Sequence, residues 1–413
     1  MESTVLTEDG AKGIAVATAG SSIGEYEARF VYDGGERYHG RGVITAVHNV
    51  NTIIARALTG IDVTKQREID TIMLKLDGTP NKSRLGANAM ASVSAAALKA
   101  AANSLKQPLY RYIGGVKACV LPIPMTNVRV GGSRRYGGGT RGGGKPVYEF
   151  MSYGANTFSE ALYIGWRLSQ KYKELSTTKL HLNPSKNHDV TGVITHDAEI
   201  LDIMVETINE LGLKNKVGIH IDVAAGCFKE NDRFVGLFSR EDKTREDLID
   251  LYKDWSITYP VKDLEDPLDD KDFTGHAILV KELGIQITGD DLYATNPHRL
   301  QQGIELKSAN SVVLKVPQIG TITEAFDMIQ LAFRNGYRIL PGASRGSGVD
   351  GSLADYAVGF NTGQTKSASY GTPLLNRYLA IEEELDASAQ FLGIEALNLK
   401  KQQTLFARTL KNE

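Results

Sequence analysis

The sequence predicts an α/β protein: a small sheet-and-helix unit over residues 1–115, followed by a closed (β/α) barrel over residues 116–413. Three observations predict it. At roughly 100 to 200 residues per domain, 413 residues hold two domains, or one large barrel with an appendage. From about Leu121 the pattern changes to short β-rich runs separated by longer helical stretches, the signature of a parallel α/β sheet. The number of those runs fits a closed barrel better than the alternative, a doubly wound sheet. No G-x-G-x-x-G stands at the first strand-to-helix turn and no Walker sequence occurs anywhere.

Taken in order, Gly13–Ala17 and Arg29–Tyr32 read as short strands. Residues 41–60 place Val43, Val47, Val50, Ile54 and Leu58 at three- and four-residue steps, an amphipathic helix stopped by Gly60. Asn88–Leu105 is alanine-rich, so its helix propensity is high and its small side chains permit close packing; Pro108 lies just beyond its end. The barrel strands are expected at Val147–Met151, Val217–Val223, Ile257–Leu264, Ile285–Thr288, Ser311–Val316 and Tyr337–Leu340.

Composition excludes several classes. Lys plus Arg is 47 against 49 for Asp plus Glu, and the formal charge of −2 gives no electrostatic case for nucleic acid or an anionic membrane as partner. No apolar run approaches the ~20 residues that span a bilayer, and Met1-Glu2-Ser3-Thr4 lacks a signal-peptide pattern, so a cytoplasmic protein is expected. The two cysteines, Cys119 and Cys227, stand far apart with no His or Cys at metal-ligand spacing, and read as buried free thiols.

Glycine concentrates in one place. Arg129–Lys145 holds eight glycines, four arginines and one lysine. Gly-rich backbone approaches ligands closely and arginines add bidentate donors for phosphate or carboxylate, as an active-site lid would require. A basic surface loop has the same composition.

Chemistry is expected where charges end β-rich runs: Asp222 in VGIHIDVAAG, Glu265 in VKDLEDPLDD, Asp290 in IQITGDDL and Lys315 in SVVLKVPQIG. The C-terminal strand ends of a parallel barrel converge on one mouth, and a charge inside an apolar strand is costly unless paired. Three carboxylates there suggest a shared cation, and oxygen-only ligands suit Mg²⁺. Each acid alone is equally a solvated strand end or a helix cap. Lys315 lies among apolar neighbours, where burial lowers an amine's pKa toward that of a base acting near neutrality; a buried lysine with a structural carboxylate is the alternative. Lys366, in NTGQTKSA, offers a second cation.

In these residues the chain resembles the enolase family. IDVAAG, LEDP, TGDDLYATNPHRL, LKVPQIGTITEA and TGQTKS follow the family's order and approximate spacing. AGSSIGEYEA is similar to its mobile serine loop, LDGTPNKSRLGANAMASVSAAALKAAA to its N-terminal helices, EFMSYGANTFSEAL to the region of its glutamate-bearing strand, and RYLAIEEEL to its final helix. The resemblance implies a small α+β domain capping a modified TIM (β/α)8 barrel, with Mg²⁺ on Asp222, Glu265 and Asp290. It implies Lys315 as the base that removes the proton α to the substrate carboxylate, and Lys366 as a lysine that helps hold that carboxylate. Ser22 falls on the loop serine that closes over metal and phosphate, and Glu149 on an active-site glutamate. The pairing of a lysine base with Mg²⁺ in such sites is established enzymology that the physics fits: divalent charge offsets the charge that builds on the carboxylate.

The departures are selective. Where the family carries Asp-Glu-Gly-Gly, with a Glu that helps expel the β-hydroxyl, this chain reads HLNPSKNHDVTG, so Asn187 or His188 takes the position and His188 is the candidate donor. Gly-Gly-Ser-His becomes Gly131-Gly132-Ser133-Arg134, Ser-His-Arg-Ser-Gly becomes Gly342-Ala343-Ser344-Arg345-Gly346, and Tyr148 replaces the glutamine before Glu149. Arg345 and Arg134 are then candidates for substrate binding, and the resemblance implies that the chain begins roughly twenty residues inside a usual enolase. The leading expectation is a Mg²⁺-dependent lyase or isomerase acting on a small phosphorylated or otherwise anionic carboxylate. Dehydration of 2-phosphoglycerate in glycolysis and a non-catalytic metal- and ligand-binding paralogue are the alternatives. The resemblance further implies a homodimer or higher homo-oligomer.

Overall fold

The computed structural model describes residues 1–20, 24–128, 130, 134–139, 144–182, 189–342, 350–366 and 373–399. The chain opens with an antiparallel hairpin of β1 (Glu2–Leu6) and β2 (Lys12–Val16), in the register Glu2↔Val16 to Leu6↔Lys12. The alanine-rich helix Ala87–Ser104 lies against it. The approach is so close that a Cβ on Gly13 would fall 2.0 Å from Ala96 O, which only glycine permits.

Two expectations for this unit are corrected. Arg29–Tyr32 is not a strand: Arg29 N donates to Asn81 O at 2.7 Å, and Val31 exchanges hydrogen bonds with the buried side chain of Asn88 at 3.1 and 3.0 Å. A side-chain amide satisfies this extended backbone in place of a ladder. The helix over 41–60 forms, but as Ile44–His48, a π-helical Asn49–Ile54 and Ala55–Leu58. A π segment widens the turn and rotates the apolar stripe, so Ile54 is buried while Val47 is 40% exposed.

Eight further strands close a barrel: β3 (Ile123–Asn127), β4 (Val147–Met151), β5 (Gly218–Asp222), β6 (Val261–Glu265), β7 (Gln286–Gly289), β8 (Ser311–Leu314), β9 (Arg338–Pro341) and β10 (Gln364–Lys366). They neighbour one another in that order, β10 pairs with β3, and a parallel bridge between Gly342 and Lys366 joins β9 to β10. The sheet is not wholly parallel, as the alternating pattern suggested. β4 runs antiparallel to both β3 and β5. The glycine-rich connection from β3 to β4 is therefore a hairpin at the barrel mouth, and needs no crossover helix.

Strand limits shift for local reasons. The helix Arg245–Thr258, started by a Thr244/Asp247 capping box, buries Tyr252 and Trp255 and consumes the residues expected to open β6, which begins at Val261. β8 stops at Leu314 because Pro317 sits in the first turn of a short helix, Val316–Ile319.

Candidate active site

Parallel strands put their C-terminal ends on one side. Asp222 ends β5, Glu265 ends β6, Asp290 and Lys315 directly follow β7 and β8, and Lys366 ends β10. All five are brought together. Lys366 Nζ lies 2.9 Å from both carboxylate oxygens of Glu265 and contacts Asp222 Oδ2; Lys315 Nζ contacts Asp290 Oδ2. Gln318 Nε2 donates to Asp290 Oδ1 at 2.9 Å. Glycine at 342 admits Lys315, since a Cβ there would come 2.8 Å from Lys315 Cε.

Glu149 stands mid-strand in β4, opposite His220 of β5. His220 Nε2 lies 3.7 Å from Glu149 Oε2 and 3.5 Å from Glu265 Oε2, and neither His220 Nε2 nor Glu149 Oε2 has a hydrogen-bond partner among the described residues. Below this layer lies a second one. His220 Nδ1 is 3.0 Å from Asp263, which also accepts from Gln286 at 2.9 Å and Thr288 at 2.8 Å, and Gln286 bonds Gln364 at 3.0 Å. All five are fully buried.

The electrostatics correct one expectation. Burial works to lower the Lys315 ammonium, but the Asp290 and Glu265 carboxylates outweigh it, and its pKa lies above the ordinary lysine value. The local sequence displays apolar neighbours, whereas the partner comes from the adjacent strand end. Burial likewise opposes the charge of Lys366 and is overcome by Asp222 and Glu265. Burial alone would raise Asp222, yet the Lys145 and Lys366 ammoniums hold it far below the usual carboxylate range. Glu149 is pushed up, chiefly by burial.

The residues fit a hard cation. Asp222, Glu265 and Asp290 are buried carboxylates whose nearest charged partners are lysine ammoniums, groups that a divalent ion can replace. Among the described residues, Asp266, Asp290 and Asp291 form a tighter acidic group, with one oxygen from each within 4.8 Å of the others. Asp266 is engaged differently: it accepts the backbone N–H groups of Asp290, Asp291 and Leu292 at 3.0, 2.7 and 3.4 Å, shaping the turn that presents Asp290. Beside it opens a cleft of about 540 Å³, lined by Arg29, Cys227, Lys229 and Asp291 among others.

Arg134 is exposed and forms no ion pair with these carboxylates. Ser22, His188 and Arg345 lie outside the described residues. Sequence reasoning missed Lys145, which contacts Asp222 from the glycine-rich loop, and the lower layer formed around His220 and Asp263. A period-two signal for the lower layer was present: His220 and Asp222, Asp263 and Glu265, and Gln364 and Lys366 each stand two apart on one strand, hence on one face. Lys145 carried only the weaker signal of a lone lysine two residues before a strand.

The family described as "Enolase, N-terminal domain" matches residues 1–113, and "Enolase, C-terminal TIM barrel domain" matches residues 118–400. The chain is 42% identical to the enolase of Methanocaldococcus jannaschii over 399 residues, covering 94% of this chain and 92% of that one. It is 42% identical to the enolase of Pyrococcus furiosus over 397 residues, covering 92% and 90%. With the enolase of Thermococcus kodakarensis the identity is 40% over 398 residues, covering 92% and 90%.

Proposed function

The chain belongs to the enolase family, and from that premise we propose a Mg²⁺-dependent lyase that removes the proton α to the carboxylate of a small phosphorylated acid. The observation that carries this reading is Lys315 at the barrel mouth beside Asp290, together with Glu265, Asp222 and Lys366. In it, residues 1–115 cap the catalytic barrel of residues 116–413.

Asp222, Glu265 and Asp290 would hold Mg²⁺, which when bound supplies positive charge against the charge building on the substrate carboxylate. Lys315 would be the base that takes the proton α to the substrate carboxylate, its present partner Asp290 being one of the three carboxylates that would hold the cation. Lys366 helps hold the substrate carboxylate. Glu149, whose pKa burial raises, keeps a proton more readily than an exposed glutamate. His188 is our candidate for protonating the leaving hydroxyl, with Ser22, Arg345 and Arg134 as substrate contacts. Near-complete coverage by enolases at 40–42% identity favours 2-phosphoglycerate as the substrate. No helix among the described residues is long and apolar enough to cross a membrane. We place the protein in the cytoplasm as a glycolytic homodimer with no nucleic-acid or membrane partner, and sedimentation equilibrium tests the dimer.

The test is NMR detection of solvent deuterium entering the α-carbon of 2-phosphoglycerate, with Mg²⁺, alongside direct assay of phosphoenolpyruvate. Exchange with phosphoenolpyruvate formation, both lost in Lys315→Ala, is the expected result. Exchange without phosphoenolpyruvate would keep the proton abstraction and remove the dehydration. Neither signal, from protein that binds Mg²⁺, would overturn 2-phosphoglycerate as substrate.

A further inference from the structure

Because β4 runs antiparallel to β5, the N-terminal end of β4 lies at the barrel mouth, with Val147 the register partner of Asp222. Lys145 stands two residues before Val147. Its Nζ contacts Asp222 Oδ2, the same oxygen that Lys366 contacts. Its side chain is only 18% exposed.

The segment that carries Lys145 is secured on both sides. Arg135 pairs bidentately with the buried Asp197, with Nε 2.9 Å from Oδ1 and Nη2 in contact with Oδ2. Tyr136 and Tyr148 donate to the same carboxylate at 3.0 and 2.6 Å. Among the described residues, Asp222, Glu265 and Asp290 thus face three ammoniums, those of Lys145, Lys315 and Lys366. Lys366 belongs to a barrel strand and Lys315 directly follows one. Lys145 alone comes from the loop before β4, so it can leave its carboxylate without moving the barrel wall.

We propose that Lys145 is a built-in competitor of the divalent cation: it occupies Asp222 in the metal-free protein and gives it up when Asp222 becomes a ligand. The inference rests on the reading above that Asp222 ligates the metal. Exchange of a tethered ammonium for Mg²⁺ then weakens metal binding by the worth of that contact. A hydrogen bond between charged groups is worth enough net to shift an equilibrium by about tenfold.

The test uses the full-length, metal-stripped protein, titrated calorimetrically with Mg²⁺ and followed by thermal unfolding. Lys145→Met is expected to bind Mg²⁺ about tenfold more tightly than wild type, and Lys145→Arg, which keeps the charge, to stay within about twofold. The melting temperature of Lys145→Met should fall below wild type without metal and converge on it with saturating Mg²⁺. Should the methionine variant not fold, Lys145→Gln serves the same comparison. Wild-type or weaker Mg²⁺ affinity in a folded, uncharged variant would overturn the competitor role and leave the metal site standing. Absence of Mg²⁺ binding in the wild type and every variant would overturn the metal site, and this inference with it.

Discussion

At Lys315 the local sequence and the tertiary partner act in opposite directions. Apolar residues on either side desolvate the ammonium, while Asp290, delivered by the neighbouring strand, keeps it charged. On the proposed reading, a ligand that takes Asp290 frees the amine. Lys315→Ala should therefore reduce α-proton exchange by roughly 10² to 10⁴, the usual weight of a positioned general base. Far-UV circular dichroism should remain native, because Asp290 keeps the Gln318 amide. A second residue-scale prediction concerns neighbours of identical chemistry. Arg135 is buried against Asp197, so Arg135→Met should cost about 3–5 kcal/mol in urea unfolding by leaving that carboxylate without its cation. Exposed Arg134→Met should change stability by no more than about 0.5 kcal/mol. Loop composition offers both arginines as donors to an anion, and the resemblance singles out Arg134. Burial separates them, and burial of one loop residue depends on Asp197, sixty-two positions away, which no local pattern reveals.

At the scale of elements, alternation along the barrel strands builds two inward layers. Asp222 and Glu265 are register partners in the upper one, His220 and Asp263 in the lower. The upper layer was legible because its charges end β-rich runs; β1, the antiparallel sense of β4 and the π-helical turn were not, since each depends on pairing or packing with distant chain. The lower layer carries its own prediction. Burial would lower His220, but Asp263 and then Glu265 outweigh it and raise its pKa to about 10, above the ordinary histidine value. A group whose pKa is raised by folding adds stability fully present below its unfolded pKa of ~6.5 and lost as pH climbs through the folded value. The difference in unfolding free energy between metal-stripped wild type and His220→Asn should thus be largest below about pH 6.5 and shrink toward pH 10. Urea titrations at pH 6, 8 and 10 check it, and a difference independent of pH would show that His220 is neutral in the fold.

Across the whole molecule, the N-terminal unit and the barrel meet in a polar seam that reaches the site. Glu27 and Ala28 touch Gln318, the residue that also holds Asp290. Lys82 pairs with Glu324 at 2.7 Å, and Arg67 forks onto Asp327 at 2.9 and 2.6 Å. Asp70 is the buried centre of this seam: it accepts from Gln66, from Ser94 Oγ at 2.6 Å, and from the backbone N–H and hydroxyl of Thr323 at 2.9 and 2.6 Å. Those last two contacts place a carboxylate on the first turn of the barrel helix Ile322–Arg334, where the helix dipole favours it. Asp70→Ala would leave Ser94 Oγ and the N–H and hydroxyl of Thr323 without this acceptor, at about 1–3 kcal/mol each before any relaxation, and the two Thr323 contacts are the part of that loss that falls between the two units. Both tryptophans, Trp166 and Trp255, lie in barrel helices, so their fluorescence reports the barrel alone while circular dichroism reports every helix. In urea the two signals should coincide for the wild type. In Asp70→Ala the dichroism change should begin at lower denaturant, as the N-terminal unit parts from a barrel that is still folded. Coincident transitions at a common lower midpoint would instead mean that the barrel cannot stand without its cap.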